Sequence, residues 1–246
     1  MDIIAKLAAE FHIRTAQVEQ TVALIDEGNT IPFIARYRKE VTGGLSDVVL
    51  RDLDERLKYL RNLEERKEEV LRLIEEQGKL TEELKAEIEK AEVLQRVEDL
   101  YKPYKQKKAT RASKAREKGL EPLALAFLAQ SERAASKEAA AVISALAAPY
   151  ITAADANIED AKRVADENEA VKGACDIIAE MISDDAEMTA LVREKTVSAG
   201  VIVTEAVDHE EQTVYEMYYE YKEGISKIPN HRVLAINRGE KEKKLR

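Results

Sequence analysis

The sequence predicts a mainly α protein, a multi-helix bundle with short β segments near its C-terminus. Gly and Pro, which interrupt helices, supply only 9 and 5 of the 246 residues. Hydrophobic residues make up 45% and charged residues 35% of the chain, so a buried core and a solvated surface are both available. Apolar residues recur at intervals of three or four over long stretches, which is typical of helices that bury one face.

Residues 1–45 predict an N-terminal unit of three short helices that resembles a helix-turn-helix. Thr15 is expected to cap the second helix, and Gly28-Asn29 suits its C-terminus, where a left-handed backbone is needed. Pro32 fits the first turn of the third helix, where a missing N–H costs nothing. Because many small helical bundles share this pattern, a helix-turn-helix and a plain bundle both remain open.

Residues 46–199 predict a helical bundle. Ser46 is expected to cap a long helix that runs to about Gln77, with apolar residues along one side. Gly78 ends this helix and Thr81 caps the next one. Further helices are predicted at Leu120–Ala129, at Lys137–Ala148 and after the capping residues Asp155-Ala156-Asn157.

Residues 200–246 predict a mixed segment. Val201-Ile202-Val203 and Val233-Leu234-Ala235-Ile236 are short runs compatible with β-strands. Between them, a helix is predicted to carry four tyrosines. Because the second predicted strand has no obvious partner, we expect the chain to be truncated after it. The four tyrosines are Tyr215, Tyr218, Tyr219 and Tyr221.

The best candidate for a functional surface is a basic segment at 102–118. It contains eight cations and one anion, although the whole chain has a formal net charge of −9. Pro103 predicts an extended loop, and Thr110 or Ser113 is expected to cap a helix that begins near Lys114. Cations neutralise phosphate groups, and tyrosine rings such as those of Tyr101 and Tyr104 stack on bases. This composition therefore favours nucleic-acid binding. The candidate binding residues are Lys102, Tyr104, Lys105, Lys107, Lys108, Arg111, Lys114 and Arg116.

A smaller basic cluster follows the third predicted helix. Arg36, Arg38 and Lys39 lie close together there and are also candidates for contact with a phosphate backbone. Both basic regions have a plainer interpretation. The larger segment can pair with the acidic bundle, and the smaller cluster can form ion pairs with Glu40 or Asp52.

The sequence contains none of the usual catalytic arrangements, so we expect no catalytic residue, metal site, cofactor or small-molecule substrate. The three histidines are far apart, and His209-Glu210-Glu211 lacks the second His that a helical zinc site needs. A glycine-rich phosphate loop is missing as well. Cys175, the single cysteine, can form no internal disulfide.

The sequence also predicts a cytoplasmic location and no membrane partner. A chain with one cysteine suits a reducing compartment. The start of the chain does not resemble a signal peptide. The longest uncharged stretch, Ala139–Ala154, is shorter than the ~20 apolar residues that a membrane-spanning helix needs.

Four motifs in order resemble the N-terminal helical region of the Tex family, bacterial transcription accessory proteins with an S1 RNA-binding domain. The first reads IPFIARYRKEVTGGL, from Ile31 to Leu45. The others are LDERLKYL at 53–60, a stretch from DLYKPYK at 99 to GLEPL at 123, and IPNHRVLAINRGE at 228–240. Together they span nearly the whole chain.

This resemblance implies a non-catalytic nucleic-acid-binding and scaffolding role in transcription. RNA or DNA would be held through its phosphate backbone without sequence readout, and RNA polymerase is a further partner that the family suggests. Family members are several-fold longer, so the resemblance also implies that the ribonuclease-H-like and S1 domains lie outside this sequence. The alternative is a structural or protein-interaction module that supports those domains or docks on RNA polymerase.

Overall fold

The computed structural model describes residues 2–105, 109–130, 136–153, 159 and 162–246. Within these ranges the protein is mainly α, as predicted, and its sheet has two strands near the C-terminus. No helix in these ranges is long and apolar enough to cross a membrane. The helices are α1 (Ile3–Phe11), α2 (Thr15–Asp26), α3 (Ile31–Tyr37), α4 (Asp47–Glu75), α5 (Glu82–Lys90), α6 (Leu94–Tyr101), α7 (Arg111–Glu117), α8 (Glu121–Leu128), α9 (Ser136–Ala147), α10 (Glu167–Asp184), α11 (Ala186–Ala199) and α12 (Asn230–Lys241), and the strands are β1 (Val201–Glu205) and β2 (Glu220–Gly224).

The chain divides into two compact units, Met1–Lys105 and Gln106–Arg246. The sequence predicts different boundaries, after residues 45 and 199, from changes in the pattern of helical and β-compatible residues. That division stays a prediction. The helix-turn-helix interpretation of the first 45 residues also stays a prediction, although its three helices are present.

The first unit is built around α4, a helix of 29 residues that is about 43 Å long at 1.5 Å per residue. The hydroxyl of Ser46 accepts a hydrogen bond from the Val49 N–H at 3.3 Å, so Ser46 caps this helix as predicted. One apolar stripe of α4 is buried beneath α1, α2, α3, α5 and α6. Its fully buried members are Leu50, Leu53, Leu57, Leu60, Leu63, Val70 and Ile74.

A buried lysine adds a polar link between α4 and the end of α5. Lys67 is 4% exposed, and its Nζ donates to Glu64 Oε1 at 2.8 Å and to the carbonyl of Glu89 at 2.9 Å. A buried ammonium group is tolerated only where it is hydrogen-bonded and paired, and both conditions are met here.

The second helix begins one residue earlier than predicted. Thr15 is its first residue, and Arg14 is its N-cap. No side-chain hydroxyl caps this helix. Its N-terminus is stabilised by Gln17, whose Oε1 accepts a hydrogen bond from the Arg14 N–H at 3.3 Å. The opposite end agrees with the prediction, since Gly28 adopts a φ of 84°.

A tight turn connects α3 to α4 and is held by α2. The backbone is left-handed at Gly43 (φ 65°) and Gly44 (φ 81°). Gln17 Nε2 donates to the carbonyl of Thr42 at 3.0 Å, and Thr42 is fully buried. A Cβ at Gly43 would lie 2.6 Å from Gln17 Nε2, whereas a Cβ at Gly44 would meet nothing within 4 Å.

In the second unit, α7 and α8 pack against α10 around a core of small and branched apolar residues. Thr110 caps α7, because its hydroxyl accepts from the Ser113 N–H at 3.0 Å, which resolves the choice between Thr110 and Ser113. Helix α11 differs from its neighbours, because none of its residues is buried. The predicted capping residues 155–157 lie outside the described residues.

The C-terminal segment corrects two predictions. Val233–Ile236 belongs to α12 and is not a strand, and Ile236 lies in one buried cluster with Tyr215, Tyr218 and Leu245. The tyrosine-rich stretch is not an α-helix. It forms a short 3₁₀ turn at Glu216–Tyr218 and then β2, which pairs antiparallel with β1 with Val201 opposite Gly224. Whether a segment forms a strand depends on its surroundings as well as on its residues. Here part of the tyrosine-rich stretch forms a strand because it pairs with β1.

We expect both glycine substitutions in the α3–α4 turn to destabilise the protein, with Gly43→Ala the more harmful. A left-handed backbone costs a residue with a Cβ about 1–2 kcal/mol, and this cost applies at both positions. Gly43→Ala also displaces Gln17 from Thr42, which adds about 1 kcal/mol for the lost hydrogen bond. Urea unfolding followed by circular dichroism measures the difference, and equal losses in the two variants would contradict it.

Candidate nucleic-acid interface

The basic segment 102–118 does not form one continuous element. Lys102 to Tyr104 form a 3₁₀ turn that continues directly from α6, so Pro103 starts no extended loop. Lys107 and Lys108 lie outside the described residues, and the boundary between the two compact units falls after Lys105. The remaining cations lie on or just after α7. The cations of the segment are therefore divided between the two units.

In the first unit, a carboxylate lies between two cations. Glu98 accepts a hydrogen bond from Arg66 Nε at 2.6 Å and another from Lys105 Nζ at 2.5 Å. The Arg66 guanidinium lies 5.3 Å from the centroid of the Tyr101 ring, and Lys105 Nζ lies 5.5 Å from the same centroid. Lys105 and Tyr101 are therefore engaged within the protein.

The pKa of Glu98 is lowered from its ordinary value, chiefly by the hydrogen bond from Arg66 and further by the one from Lys105, against the opposing effect of burial. The Glu98 side chain is 28% exposed, so water weakens these attractions only in part. Nearby, Lys102 and Tyr104 are half-buried, and the Tyr104 carbonyl accepts from Gln77 Nε2 at 3.0 Å.

In the second unit, acidic residues of α10 pair with Arg116 on α7 and with Lys118, the residue after α7. Arg116 bonds to Glu180, and Glu180 also accepts from the Thr110 hydroxyl at 3.1 Å. The hydrogen bond to Glu180 is the main reason that the pKa of Arg116 is raised. Lys118 bonds to Glu169 and donates to the Arg163 carbonyl at 2.8 Å. These contacts fix α7 against α10.

Two cations of α7 remain more accessible. Arg111 Nε lies 3.4 Å from Asp176 Oδ1, but its side chain is 81% exposed, so this pair is weak. Lys114 is exposed and has no ion pair with any residue that the structure describes. The segment thus contains both internally paired cations and available ones.

The smaller cluster is more accessible than the larger segment. Arg36, Arg38 and Lys39 are all exposed, and across the described ranges none of them forms an ion pair, with Glu40 and Asp52 included. Beside them, Asp47 pairs with Arg51, with 2.6 Å between Oδ2 and Nη2. The cluster therefore presents three exposed cations that form no ion pair with the described residues, although Asp47 lines the same groove as Arg36 and Lys39.

Sequence reasoning missed an aromatic pair beside this cluster. Phe33 and Tyr37 are four residues apart on α3, so they share a face of the helix, and their ring centroids are 5.3 Å apart. The Arg38 guanidinium lies 5.5 Å from the centroid of the Phe33 ring. The sequence does carry a signal for this pair, since the two aromatic residues are spaced for one helix face and stand next to three cations.

No group of three or more His, Cys, Asp or Glu side chains is placed to hold a metal ion in the described part of the chain.

We expect Glu98→Gln to lower the free energy of unfolding at neutral pH by about 1 kcal/mol, because Arg66 and Lys105 lose their common anion. A carboxylate with a lowered pKa stabilises the fold above its unfolded-state pKa, and that contribution is lost as pH falls through the folded-state pKa. The difference from the original protein should therefore shrink below about pH 4. Glu68→Gln, at an exposed position of α4, is the control for urea unfolding across this range. A difference that does not vary with pH would contradict the prediction.

Comparison with known families gives two matches along the chain. A family described as the Tex-like protein N-terminal domain matches residues 1–75. A second family, described as Tex central region-like, matches residues 139–246. The two matches lie in the order that their descriptions imply, and together they cover most of the sequence.

Relatives align with nearly the full length of the chain. "Protein tex" of Bordetella pertussis is 46% identical over 239 residues, which are 96% of this chain and 28% of that protein. "Transcriptional accessory protein Tex" of Neisseria gonorrhoeae is 42% identical over 244 residues, which are 98% of this chain and 30% of that protein. The human "S1 RNA-binding domain-containing protein 1" is 28% identical over 248 residues, 97% of this chain and 23% of that protein.

The chain thus spans about 30% of the length of its bacterial relatives. Two matching family descriptions and identities of 42% to 46% along almost every residue agree with the four motifs. The chain belongs to the Tex family.

Proposed function

We propose that this chain is a non-catalytic nucleic-acid-binding and scaffolding region of a transcription accessory protein. It binds the phosphate backbone of RNA or DNA through exposed cations, without reading base sequence. Relatives named as a transcriptional accessory protein and as an S1 RNA-binding protein support the general role. RNA polymerase is proposed as a protein partner because one relative is named as a transcriptional accessory protein.

The observation that carries the proposal is the exposure of Arg36, Arg38 and Lys39 with no ion pair in the described residues. A cation that is already paired must give up its carboxylate before it binds phosphate, which cancels part of the gain. These three residues incur no such loss. Each phosphate that they neutralise releases counterions, which favours binding at low salt.

The segment 102–118 is proposed as a second contact. Arg111 and Lys114 are its most accessible described cations, and Lys107 and Lys108 belong to the proposal from sequence alone. Lys105 and Arg116 would have to exchange Glu98 and Glu180 for phosphate. We therefore expect them to contribute less. Lys102 and Tyr104 complete this proposed contact.

A structural or protein-interaction module is the second candidate function. It is favoured by the ion pairs between α7 and α10, which use Arg116 and Lys118 to hold the second unit together. Reversal of the charge at Lys105, Lys107 and Lys108 separates the two functions. Under the first, nucleic-acid binding weakens while the fold is kept, whereas under the second the original chain binds no nucleic acid at low salt.

We expect the triple variant Arg36→Gln, Arg38→Gln, Lys39→Gln to bind both single-stranded RNA and duplex DNA more weakly than the original chain. Three lost phosphate contacts should reduce the slope of log affinity against log salt by about 2 for a single strand. Fluorescence anisotropy of labelled RNA and DNA at several salt concentrations measures both effects.

The matched control is Lys79→Gln, Lys85→Gln, Lys90→Gln. It removes three exposed cations from the same compact unit, so the change in net charge is identical. Several glutamates on α5 surround these lysines, which makes them poor phosphate ligands. Equal losses of binding in the two triple variants would show a general effect of charge and would refute a site at α3.

A further inference from the structure

Strand β1 in the second unit has one edge that pairs with β2 and a second edge that faces away from it. Toward β2, the Ala206 N–H donates to the Tyr219 carbonyl at 3.0 Å, and the Gly200 carbonyl accepts from the Ile225 N–H at 2.9 Å. Backbone groups of successive strand residues point to opposite edges, so the even-numbered residues of β1 bond to β2. The odd-numbered residues therefore face the second edge. These residues are Val201, Val203 and Glu205.

One end of the second edge is already paired with residues that follow α12. The Glu205 N–H donates to the Arg246 carbonyl at 3.0 Å, and the Arg246 N–H donates to the Glu205 carbonyl at 2.9 Å. Just beyond β1, the Val207 N–H donates to the Lys244 carbonyl at 3.0 Å. Residues 244–246 therefore run antiparallel to β1 and begin a third strand of the sheet.

The rest of the second edge is open. The backbone groups of Val201 and Val203 form no hydrogen bond across it with any residue that the structure describes. Free N–H and C=O groups along an edge are a template for another strand, and charged side chains are a usual protection against unwanted pairing. Strand β2 exposes Glu220 and Lys222, whereas β1 exposes Val201 at 45% and Val203 at 57%. The open edge of β1 thus lacks this protection where it is unpaired.

We propose that this edge is the docking site of the segment that follows Arg246 in the full-length protein, which continues along β1 as the third strand. The chain spans 28% and 30% of two bacterial relatives, and the domain described as N-terminal matches from residue 1. Most of a full-length family member is therefore available to follow this region. The inference goes beyond the proposed function, because it requires no nucleic acid and attaches the remaining protein to the second unit.

The existing pairs fix the register of the added strand. Because Arg246 lies opposite Glu205 in an antiparallel arrangement, the second residue after Arg246 lies opposite Val203 and the fourth lies opposite Val201. Both positions repeat the hydrogen-bonded geometry of the Glu205 and Arg246 pair. A short extended segment therefore satisfies every open backbone group of β1.

The two faces of the sheet specify the side chains of this segment. Leu245 is 2% exposed and belongs to a buried cluster against which Ile202 also packs, and Thr204 is 4% exposed. Side chains alternate between the faces of a strand, so the first and third residues after Arg246 lie on this buried face. We expect both to be apolar. The second and fourth lie on the exposed face, where polar residues are accommodated.

Disulfide trapping in the full-length protein tests the register. Cysteine is introduced at the second residue after Arg246 together with Val203→Cys, and the native cysteines are replaced by serine, including the exposed Cys175. Residues of a hydrogen-bonded antiparallel pair have Cα atoms about 5.5 Å apart, a distance that a disulfide spans. We expect mild oxidation to crosslink this pair, which mass spectrometry of the linked peptides detects.

The matched control combines Lys222→Cys with the same second cysteine. Lys222 lies opposite Val203 on β2, so β1 separates it from the proposed strand and the Cα atoms are about 10 Å apart, too far for a disulfide. Circular dichroism verifies that each variant is folded. A folded Val203→Cys protein that does not crosslink, or equal crosslinking in both proteins, would overturn the proposal.

Hydrogen exchange tests the same contact without substitutions. The amides of Val201 and Val203 should exchange about tenfold or more slowly in the full-length protein than in the chain that ends at Arg246. The amides of Ile202 and Thr204 bond to β2 in both proteins and are the internal reference. Equal exchange of the valine amides in the two proteins contradicts a third strand. Protection in the shorter chain that increases with its concentration assigns the edge to a second copy instead.

Discussion

Burial of the apolar stripe of α4 is the interaction on which the first unit depends. Full burial of a leucine or isoleucine side chain contributes about 1.5–3 kcal/mol, and α4 has seven fully buried aliphatic residues. Helix α3 is one of the elements that cover this stripe, through Ile34. The position of the aromatic and basic groups on the outer side of α3 is therefore fixed by a hydrophobic contact on its inner side.

Charge in the sequence and charge available to a ligand are different quantities in this protein. The segment 102–118 has the highest density of cations, yet Lys105, Arg116 and Lys118 contact Glu98, Glu180 and Glu169. The smaller cluster beside α3 has fewer cations, but none is paired within the described residues. In an acidic protein, the location of the carboxylates decides which cations remain accessible.

The helices could be predicted because local signals define them. Ser46, Thr81 and Thr110 cap helices as their side chains suggest, and Gly28 ends one with a left-handed backbone. The C-terminal segment could not be predicted in this way. Its strands depend on pairing between residues about twenty positions apart, and Val233–Ile236 is compatible with both structures.

The candidate site was predictable only in part for a similar reason. Basic residues can be counted in a sequence, but their ion partners on other helices cannot. Asp176 and Glu180, for example, are more than sixty residues from Arg111 and Arg116. The exposure of Phe33 and Tyr37 also depends on which side of α3 packs against α4. Ile34, between them in sequence, is the residue that turns inward.

Helix α11 has a consequence for local stability. Its residues gain little from burial, since none is buried, and large apolar side chains such as Leu191 and Val192 remain 47% and 60% exposed. A helix of 14 residues is marginal in water without tertiary support. Opening of α11 therefore costs much less free energy than opening of α4, so the amide hydrogens of α11 exchange with solvent earlier, and a protease reaches the α11 backbone more readily than that of α4.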